Sequence, residues 1–181
     1  SEDDVVDQPI SLYAATKKSS ELMASTYSHL YGIKATGLRF FTVYGPWGRP
    51  DMAVYKFTDS IINNRPIQVY AKGKLLRDFT YIDDIVNGIL SILHMLEVEE
   101  APMIMNIGNN HPLNINSLVS EIERVLGSKA EVEYLPLQPG DVNETYANIE
   151  RINSYCGFEP ETELSTGIRK FCSWFQSYQT M

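Results

Sequence analysis

Cysteine and histidine are scarce in this sequence. Its 181 residues include two cysteines, Cys156 and Cys172, and three scattered histidines, His29, His94 and His111. Neither a zinc site nor a serine–histidine triad is predicted from so dispersed a set. Without a Cys-x-x-Cys pair, two buried free thiols are favoured over a disulfide framework, which indicates a reducing compartment and hence the cytoplasm.

Positive charge and long apolar runs are also in short supply. The net charge is -8 and the isoelectric point is near 4.9, which argues against a general partner of nucleic acids or acidic membranes. An anionic ligand would therefore have to be held by local cations. The longest apolar stretch, IVNGILSILHML, is interrupted by polar residues and is too short to cross a bilayer, so no membrane segment is predicted.

The sequence also lacks the glycine-rich dinucleotide fingerprint. A G-x-G-x-x-G turn between a strand and a helix would cradle a pyrophosphate, and the loop GPWG offers only two glycines next to prolines. The chain opens on Ser1 and an acidic segment rather than on methionine. We therefore expect it to be an excised portion of a longer polypeptide.

Helical and strand patterns alternate along the chain. Leu12 to about Tyr31 lacks proline and glycine and precedes Gly32, which is typical of a helix and its C-cap. Further helices are predicted near 53–64, from 83 onwards, after a cap at Asn116, near 149–155 and near 164–178. Strands are predicted at IKATGLRFFTVYG, IQVYA, LLRDFTY, MIMNIG and AEVEYLPL. This alternation predicts an α/β fold with a mostly parallel, Rossmann-like sheet.

The stretch SLYAATKKS places Tyr13 and Lys17 one helical turn apart, so both side chains project from one face. A neighbouring ammonium favours phenolate, which makes the pair a plausible proton-transfer device. The alternative is an exposed helix pair without chemistry. Tyr70 and Lys74 have the same spacing in a segment that contains glycine and is predicted to turn, so spacing alone does not decide between the two interpretations.

Four motifs in order provide the missing context. YAATK, LRFFTVYGPWGRPDMA, RDFTYIDDIVNGI and QPGDVNETYAN together resemble the C-terminal half of an extended short-chain dehydrogenase/reductase. Among these enzymes the resemblance is strongest to the NAD-dependent nucleotide-sugar epimerases of the UDP-glucuronate 4-epimerase group. It implies the second half of a Rossmann-like sheet (residues 1–44 and 77–108) interlocked with a small UDP-sugar-binding lobe (residues 45–76 and 109–181).

The resemblance implies an epimerisation that passes through a 4-keto sugar. NAD accepts a hydride from C4 and returns it to the other face, while a tyrosinate removes the proton of the 4-hydroxyl. Tyr13 matches that base, and Lys17 matches the lysine that supports it and binds the nicotinamide ribose. Phe40 matches a nicotinamide contact, although a buried strand residue would explain it equally well. The glycine-rich loop should lie upstream, so we expect this chain alone to bind NAD poorly and to turn over little.

Two residues match positions that select the sugar in this family. Thr42 stands where UDP-galactose epimerases carry asparagine. Arg49 matches a residue that holds the C6 carboxylate, for which a planar bidentate guanidinium is suited and lysine is not. The alternative for Arg49 is a solvated loop cation.

Four further residues match the nucleotide site of the family. Arg77 matches the arginine that binds the diphosphate, with a surface position or a pair with Asp78 as the alternative. Phe79 is expected in the nucleotide pocket or in the strand core. Gln138 replaces a second diphosphate arginine found in many relatives.

Asp141 matches the acidic residue that accepts hydrogen bonds from the uridine ribose. The alternative for this residue is a turn aspartate that follows Gly140.

Other functions remain open from the sequence. A dehydratase or decarboxylase of the same fold is one alternative. A non-catalytic UDP-sugar-binding or dimerisation module is another. The resemblance further implies a homodimer formed through the long first helix, and no nucleic acid, membrane or metal partner is expected.

Overall fold

Six helices and seven short strands alternate within residues 1–98, 100–138 and 141–180, which a computed structural model describes. In chain order the elements are α1 (Leu12–Tyr31), β1 (Gly37–Phe40), β2 (Thr42–Tyr44), α2 (Ala53–Ile62), β3 (Ile67–Tyr70), a 3-10 turn (Ala71–Gly73), β4 (Leu76–Tyr81), α3 (Ile82–Val98), β5 (Ile104–Ile107), β6 (Pro112–Asn114), α4 (Ile115–Leu126), β7 (Val132–Leu135), α5 (Glu150–Cys156) and α6 (Leu164–Gln179).

The strands form three small sheets in which parallel pairing dominates. β1 pairs in parallel with β5, and β3 pairs in parallel with β7. β4 lies between β2, to which it is parallel, and β6, to which it is antiparallel. The predicted α/β class with a mostly parallel arrangement is confirmed.

The segment IKATGLRFFTVYG does not form the single buried strand that its apolar run predicts. It divides at Phe41 into β1 and β2 because the two parts pair with different partners: Phe40 lies opposite Ile107, and Thr42 lies opposite Phe79. The division places Thr42 beside the strand that carries Arg77.

Helix boundaries follow the capping residues. Ser11 caps α1 by accepting a hydrogen bond from the Ala14 N–H at 3.1 Å, and Gly32, with φ of 64°, ends it as predicted. The prediction of Asn116 as the cap of α4 is wrong, because Asn114 accepts the Ser117 N–H at 2.8 Å.

Asn116 instead lies inside α4. Its side-chain amide donates to the Lys72 carbonyl at 3.1 Å, so it ties α4 to the 3-10 turn. β6, which directly precedes α4, was not predicted because three residues are too few to show a period.

Two apolar clusters hold the structure. The first joins α2, β3, β4, α4 and α6, and the second joins α3, β5 and α5 around Ile92, Met105, Ile107 and Ile152. The second cluster joins α5, which the predicted division assigns to the UDP-sugar lobe, to α3 and β5, which it assigns to the Rossmann part. The division itself stays a prediction.

Both cysteines are free thiols, as expected. Cys172 is buried in the first cluster, and burial raises the pKa of its thiol to about 11. Cys156 is only half-buried, and partial burial also raises the pKa of its thiol. Among the described residues, no helix is both long enough and apolar enough to cross a bilayer.

Candidate active site

A cavity of about 510 Å³ opens between α2, β3 and β4. This volume lies within the range of about 300–1,000 Å³ that is usual for small-molecule sites. Its lining includes four of the residues singled out from the sequence: Thr42, Arg77, Phe79 and Asp141. The structure thus brings together residues that are up to about a hundred positions apart in the chain.

The alternation of side chains along β4 explains how two of these residues reach the cavity. Successive strand residues point to opposite faces, so Arg77 and Phe79 line the cavity while Asp78 and Thr80 are fully buried on the other side. Phe79 is 3% exposed and also belongs to the first apolar cluster. The strand-core interpretation of Phe79 is therefore confirmed, and the same side chain lines the cavity. Its contact with a nucleotide stays a prediction.

Arg77 pairs with Asp141 and not with Asp78. Its Nη2 lies 2.6 Å from Asp141 Oδ1, and its Nη1 donates to the Leu76 carbonyl at 2.8 Å. A guanidinium has five N–H donors, so these two bonds leave donors available to an anionic ligand. The two side chains are only 15% and 30% exposed, so this ion pair is less screened by solvent than a surface pair.

Asp78 joins β4 to two other segments of the chain, on the face of β4 that points away from the cavity. Its carboxylate, fully buried, accepts the backbone N–H groups of Asn109 at 2.8 Å, Asn110 at 3.0 Å and Ala147 at 2.9 Å. One side chain thereby joins β4, the turn after β5 and the segment that follows Asp141. The sequence indicates Asp78 only as an alternative partner for Arg77, since nothing local points to these distant amides.

The segment that carries Asp141 runs along β4. The Leu76 N–H donates to the Asn143 carbonyl at 2.9 Å, and the Thr145 N–H donates to the Leu76 carbonyl at 3.1 Å. The turn expected at Gly140 lies outside the described residues. Gln138 is exposed and absent from the cavity lining, although its carbonyl accepts the Asp141 N–H at 3.1 Å.

Arg49 lies on the loop between β2 and α2. Its side chain is 74% exposed and forms a bidentate ion pair with Asp51, with Nε–Oδ1 and Nη2–Oδ2 distances of 2.7 and 2.9 Å. These hydrogen bonds raise the pKa of Arg49 and lower that of Asp51. Arg49 also borders a small cavity of about 20 Å³ with Thr42 and Met52.

Tyr13 and Lys17 lie open on α1. Tyr13 is 71% exposed, and the Lys17 ammonium lies 5.4 Å from the centre of its ring, so the two share one face of the helix as predicted. Phe40, at the end of β1, is 51% exposed, which makes the alternative of a buried strand residue wrong. None of these three residues lines either of the two cavities described above.

Several cavity residues escaped the sequence analysis. Lys56 on α2 adds a second cation to the lining, and Gln68 and Tyr70 on β3 form part of the opposite wall. Lys56 lies one helical turn after Met52, at the start of a helix that the sequence predicts directly after the Arg49 loop. That position could have indicated Lys56 as a cation near the site. The strand residues give no comparable signal, because their position depends on the pairing of β3 with β7.

Comparison with known proteins places these observations in a family. A family model described as the NAD dependent epimerase/dehydratase family matches residues 1–108. Protein CapI of Staphylococcus aureus is 50% identical over 97% of this chain and 57% of its own length. A probable UDP-glucuronate 4-epimerase of Rhizobium meliloti is 43% identical over 98% of this chain and 57% of its own length. The chain thus spans little more than half of these relatives.

A solved structure supports the same placement. The UDP-glucuronic acid 4-epimerase of Bacillus cereus, in complex with UDP-glucuronic acid and NAD, superposes with a TM-score of 0.87 at 30% identity. The match covers 97% of this chain and 56% of that one. From its sequence, its fold and these similarities, the chain belongs to the NAD dependent epimerase/dehydratase family.

Proposed function

We propose that this chain is the C-terminal, substrate-recognising part of an NAD-dependent UDP-glucuronate 4-epimerase. The observation that carries the proposal is the cavity that unites Thr42, Arg77, Phe79 and Asp141 and that the Arg49 loop borders through Asp51 and Met52. The similarity to UDP-glucuronate 4-epimerases over nearly the whole chain supports it.

The nucleotide part of the substrate would occupy the larger cavity. The free donors of Arg77 suit a diphosphate, and the Asp141 carboxylate suits the hydroxyls of a ribose. Lys56 would add positive charge at the same anion. In a chain of net charge -8, such a local pair of cations is what an anionic ligand requires.

The sugar carboxylate would be held by Arg49. In the structure its guanidinium already binds a carboxylate, that of Asp51, through two parallel hydrogen bonds. A uronate C6 carboxylate would take the place of Asp51 with the same geometry. An uncharged C6 hydroxyl offers no such exchange, which is the basis for selecting UDP-glucuronate over UDP-glucose.

The residues that would meet NAD are left uncovered. Tyr13 and Phe40 are 71% and 51% exposed, and Lys17 shares the helix face of Tyr13, so all three fit a contact with a large cofactor. When bound, NAD supplies a reversible hydride acceptor. The Tyr13 phenolate would accept the proton of the sugar 4-hydroxyl and later return it. The Lys17 charge would stabilise the phenolate form of Tyr13 whenever the proton is on the sugar oxygen.

The mass and stereochemistry of the product test the proposal. The full-length protein is incubated with UDP-glucuronate and NAD, and the product is analysed by mass spectrometry and by NMR of the C4 proton. We expect a product of unchanged mass with inverted C4, corresponding to UDP-galacturonate. Loss of water would identify a dehydratase, loss of carbon dioxide a decarboxylase, and binding without conversion a non-catalytic module, and each would refute the epimerase.

A further inference from the structure

The loop that carries Arg49 begins with a turn of unusual composition. The Gly48 N–H donates to the Gly45 carbonyl at 3.0 Å, Pro46 occupies the second position, and Trp47 at the third has φ of 64°. This is the pattern of a type II turn, whose third position normally requires glycine or asparagine. A tryptophan in this conformation is strained, so something else must hold it there.

Trp47 makes aromatic contacts with two residues of α6. The Trp47 ring centre lies 5.4 Å from that of Trp174 and 5.5 Å from that of Tyr178, and the latter two rings are stacked at 5.3 Å. Trp174 in turn contacts the buried ring of Phe171 at 5.5 Å. Trp47 itself remains 75% exposed, so its placement is not explained by its own burial.

The turn directly precedes residues that form one wall of the cavity. Four residues after Trp47 in the chain, Asp51 lines the larger cavity, and Met52 borders both cavities. The Met52 N–H donates to the Arg49 carbonyl at 3.1 Å, so Arg49 is coupled to the same wall. A loop released at Trp47 would let Arg49 move away from the site.

We propose that Trp47 is a positioning residue that latches the Arg49 loop onto α6. The aromatic latch comprises Trp47, Trp174 and Tyr178, and its ring contacts offset the strain of the turn. This inference rests on the proposed function insofar as it assigns the latched loop to recognition of the sugar carboxylate. The inference concerns recognition of the sugar and not of the nucleotide, because the Arg77–Asp141 pair, which would bind the nucleotide, lies outside the loop.

Two substitutions separate the ring from the backbone. Trp47→Gly removes the ring and relieves the strain of the turn, while Trp47→Ala removes the ring and keeps the strain. Trp47→Phe keeps an aromatic ring and serves as the conservative rescue. Hydrogen exchange of the 48–52 amides, which are those of Gly48, Arg49, Asp51 and Met52 because Pro50 has no N–H, is measured in the full-length protein. The α4 amides are the control for intact folding, and affinities for UDP and UDP-glucuronate are measured as well.

We expect both Trp47→Gly and Trp47→Ala to raise exchange at 48–52 by about tenfold, as for a segment that has lost its packing. Both should weaken UDP-glucuronate by about fivefold or more and leave UDP within about twofold, because only the wall that carries Arg49 is released. Trp47→Phe should restore most of both properties.

The latch would be refuted if Trp47→Gly matched the unmodified protein in exchange and in affinity for UDP-glucuronate, since the backbone alone would then place the loop. It would also be refuted if UDP and UDP-glucuronate weakened equally. If the unmodified protein bound neither nucleotide, the proposed function would fall, while the exchange of the 48–52 amides would still decide whether the latch exists.

Discussion

At the scale of single residues, the Tyr13 hydroxyl separates chemistry from binding. Tyr13→Phe keeps the ring beside Lys17 and removes only the group that would carry the proton. In the full-length enzyme we expect turnover to fall by about a thousandfold or more, the usual contribution of a general base, with little change in affinity for UDP-glucuronate. The measurements are product formation by NMR and binding by calorimetry.

Tyr27→Phe is the matched control, because Tyr27 is exposed on the same helix, keeps its ring in this variant and has no proposed part in the proton transfer. It should leave turnover unchanged. Turnover retained by Tyr13→Phe would remove Tyr13 from the role of base.

The selectivity of Arg49 is a second residue-scale prediction. Arg49→Ala should weaken UDP-glucuronate by about tenfold or more and UDP-glucose by much less, since only the former has a carboxylate for the guanidinium to hold. Arg49→Lys should recover little of the loss because an ammonium lacks the bidentate geometry. Equal losses for both sugars, measured by competition with UDP, would eliminate the proposed carboxylate contact.

Asp78 provides a stability test of the site. In Asp78→Asn an amide NH₂ would face backbone N–H groups that now donate to a carboxylate oxygen. Buried donors left without acceptors cost about 1–3 kcal/mol, so we expect the free energy of unfolding to fall by about that amount in urea denaturation. Asp83→Asn, at an exposed ion pair with Lys170, is the control and should change it by less than about 0.5 kcal/mol. A similar effect from both variants would contradict the organising role of Asp78.

The sequence could suggest individual site residues but not their neighbours. The motifs singled out Thr42, Arg77 and Asp141, and the structure places all three around one cavity. The pairing of Arg77 with Asp141 depends on how the segment after residue 140 lies along β4. The N–H groups that Asp78 accepts come from that segment and from the turn after β5. Such long-range contacts leave no local pattern in the chain.

At the scale of elements, the sequence predicts best those helices that are long and end at a recognisable cap. α1 was predicted over its full extent because a run without proline or glycine ends at Gly32, whose backbone is left-handed. The division of β1 from β2 was missed because both lie in one continuous apolar run, and β6 was missed because three residues are too few to show a period. Their pairing partners, which lie far away in sequence, define them.

Gly88 tests how α3 packs against its neighbours. A Cβ at this position would lie 2.7 Å from Phe158 Cδ2 and 2.9 Å from Ile107 Cδ1, inside van der Waals distance. We expect Gly88→Ala to lower the free energy of unfolding by about 1–3 kcal/mol because overpacking outweighs the gain in helix propensity.

Asn87→Ala, one residue away on the exposed face of α3, is the control for this change. Denaturant titration of both variants provides the comparison. If Gly88→Ala were as stable as Asn87→Ala, the close approach of α3 to Phe158 would be contradicted.

At the scale of the whole molecule, α1 is the least covered of the α-helices that the structure describes. It contains no buried residue and exposes seven large apolar or aromatic side chains along its length: Leu12, Tyr13, Leu22, Met23, Tyr27, Leu30 and Tyr31. The homodimer expected through this helix stays a prediction. The same exposure leaves Tyr13 and Lys17 uncovered, which agrees with a chain that spans little more than half of its relatives.

The central claim is that this chain recognises the nucleotide of a UDP-sugar and lacks the phosphate cradle for NAD. Calorimetric titration of the 181-residue chain with UDP and with NAD⁺ tests it most directly, using Arg77→Ala as the variant and Arg124→Ala, an exposed arginine on α4, as its control. We predict measurable UDP binding that Arg77→Ala weakens by about tenfold and Arg124→Ala leaves unchanged, with little affinity for NAD⁺. Binding of NAD⁺ without UDP, or UDP affinity that does not depend on Arg77, would contradict the account.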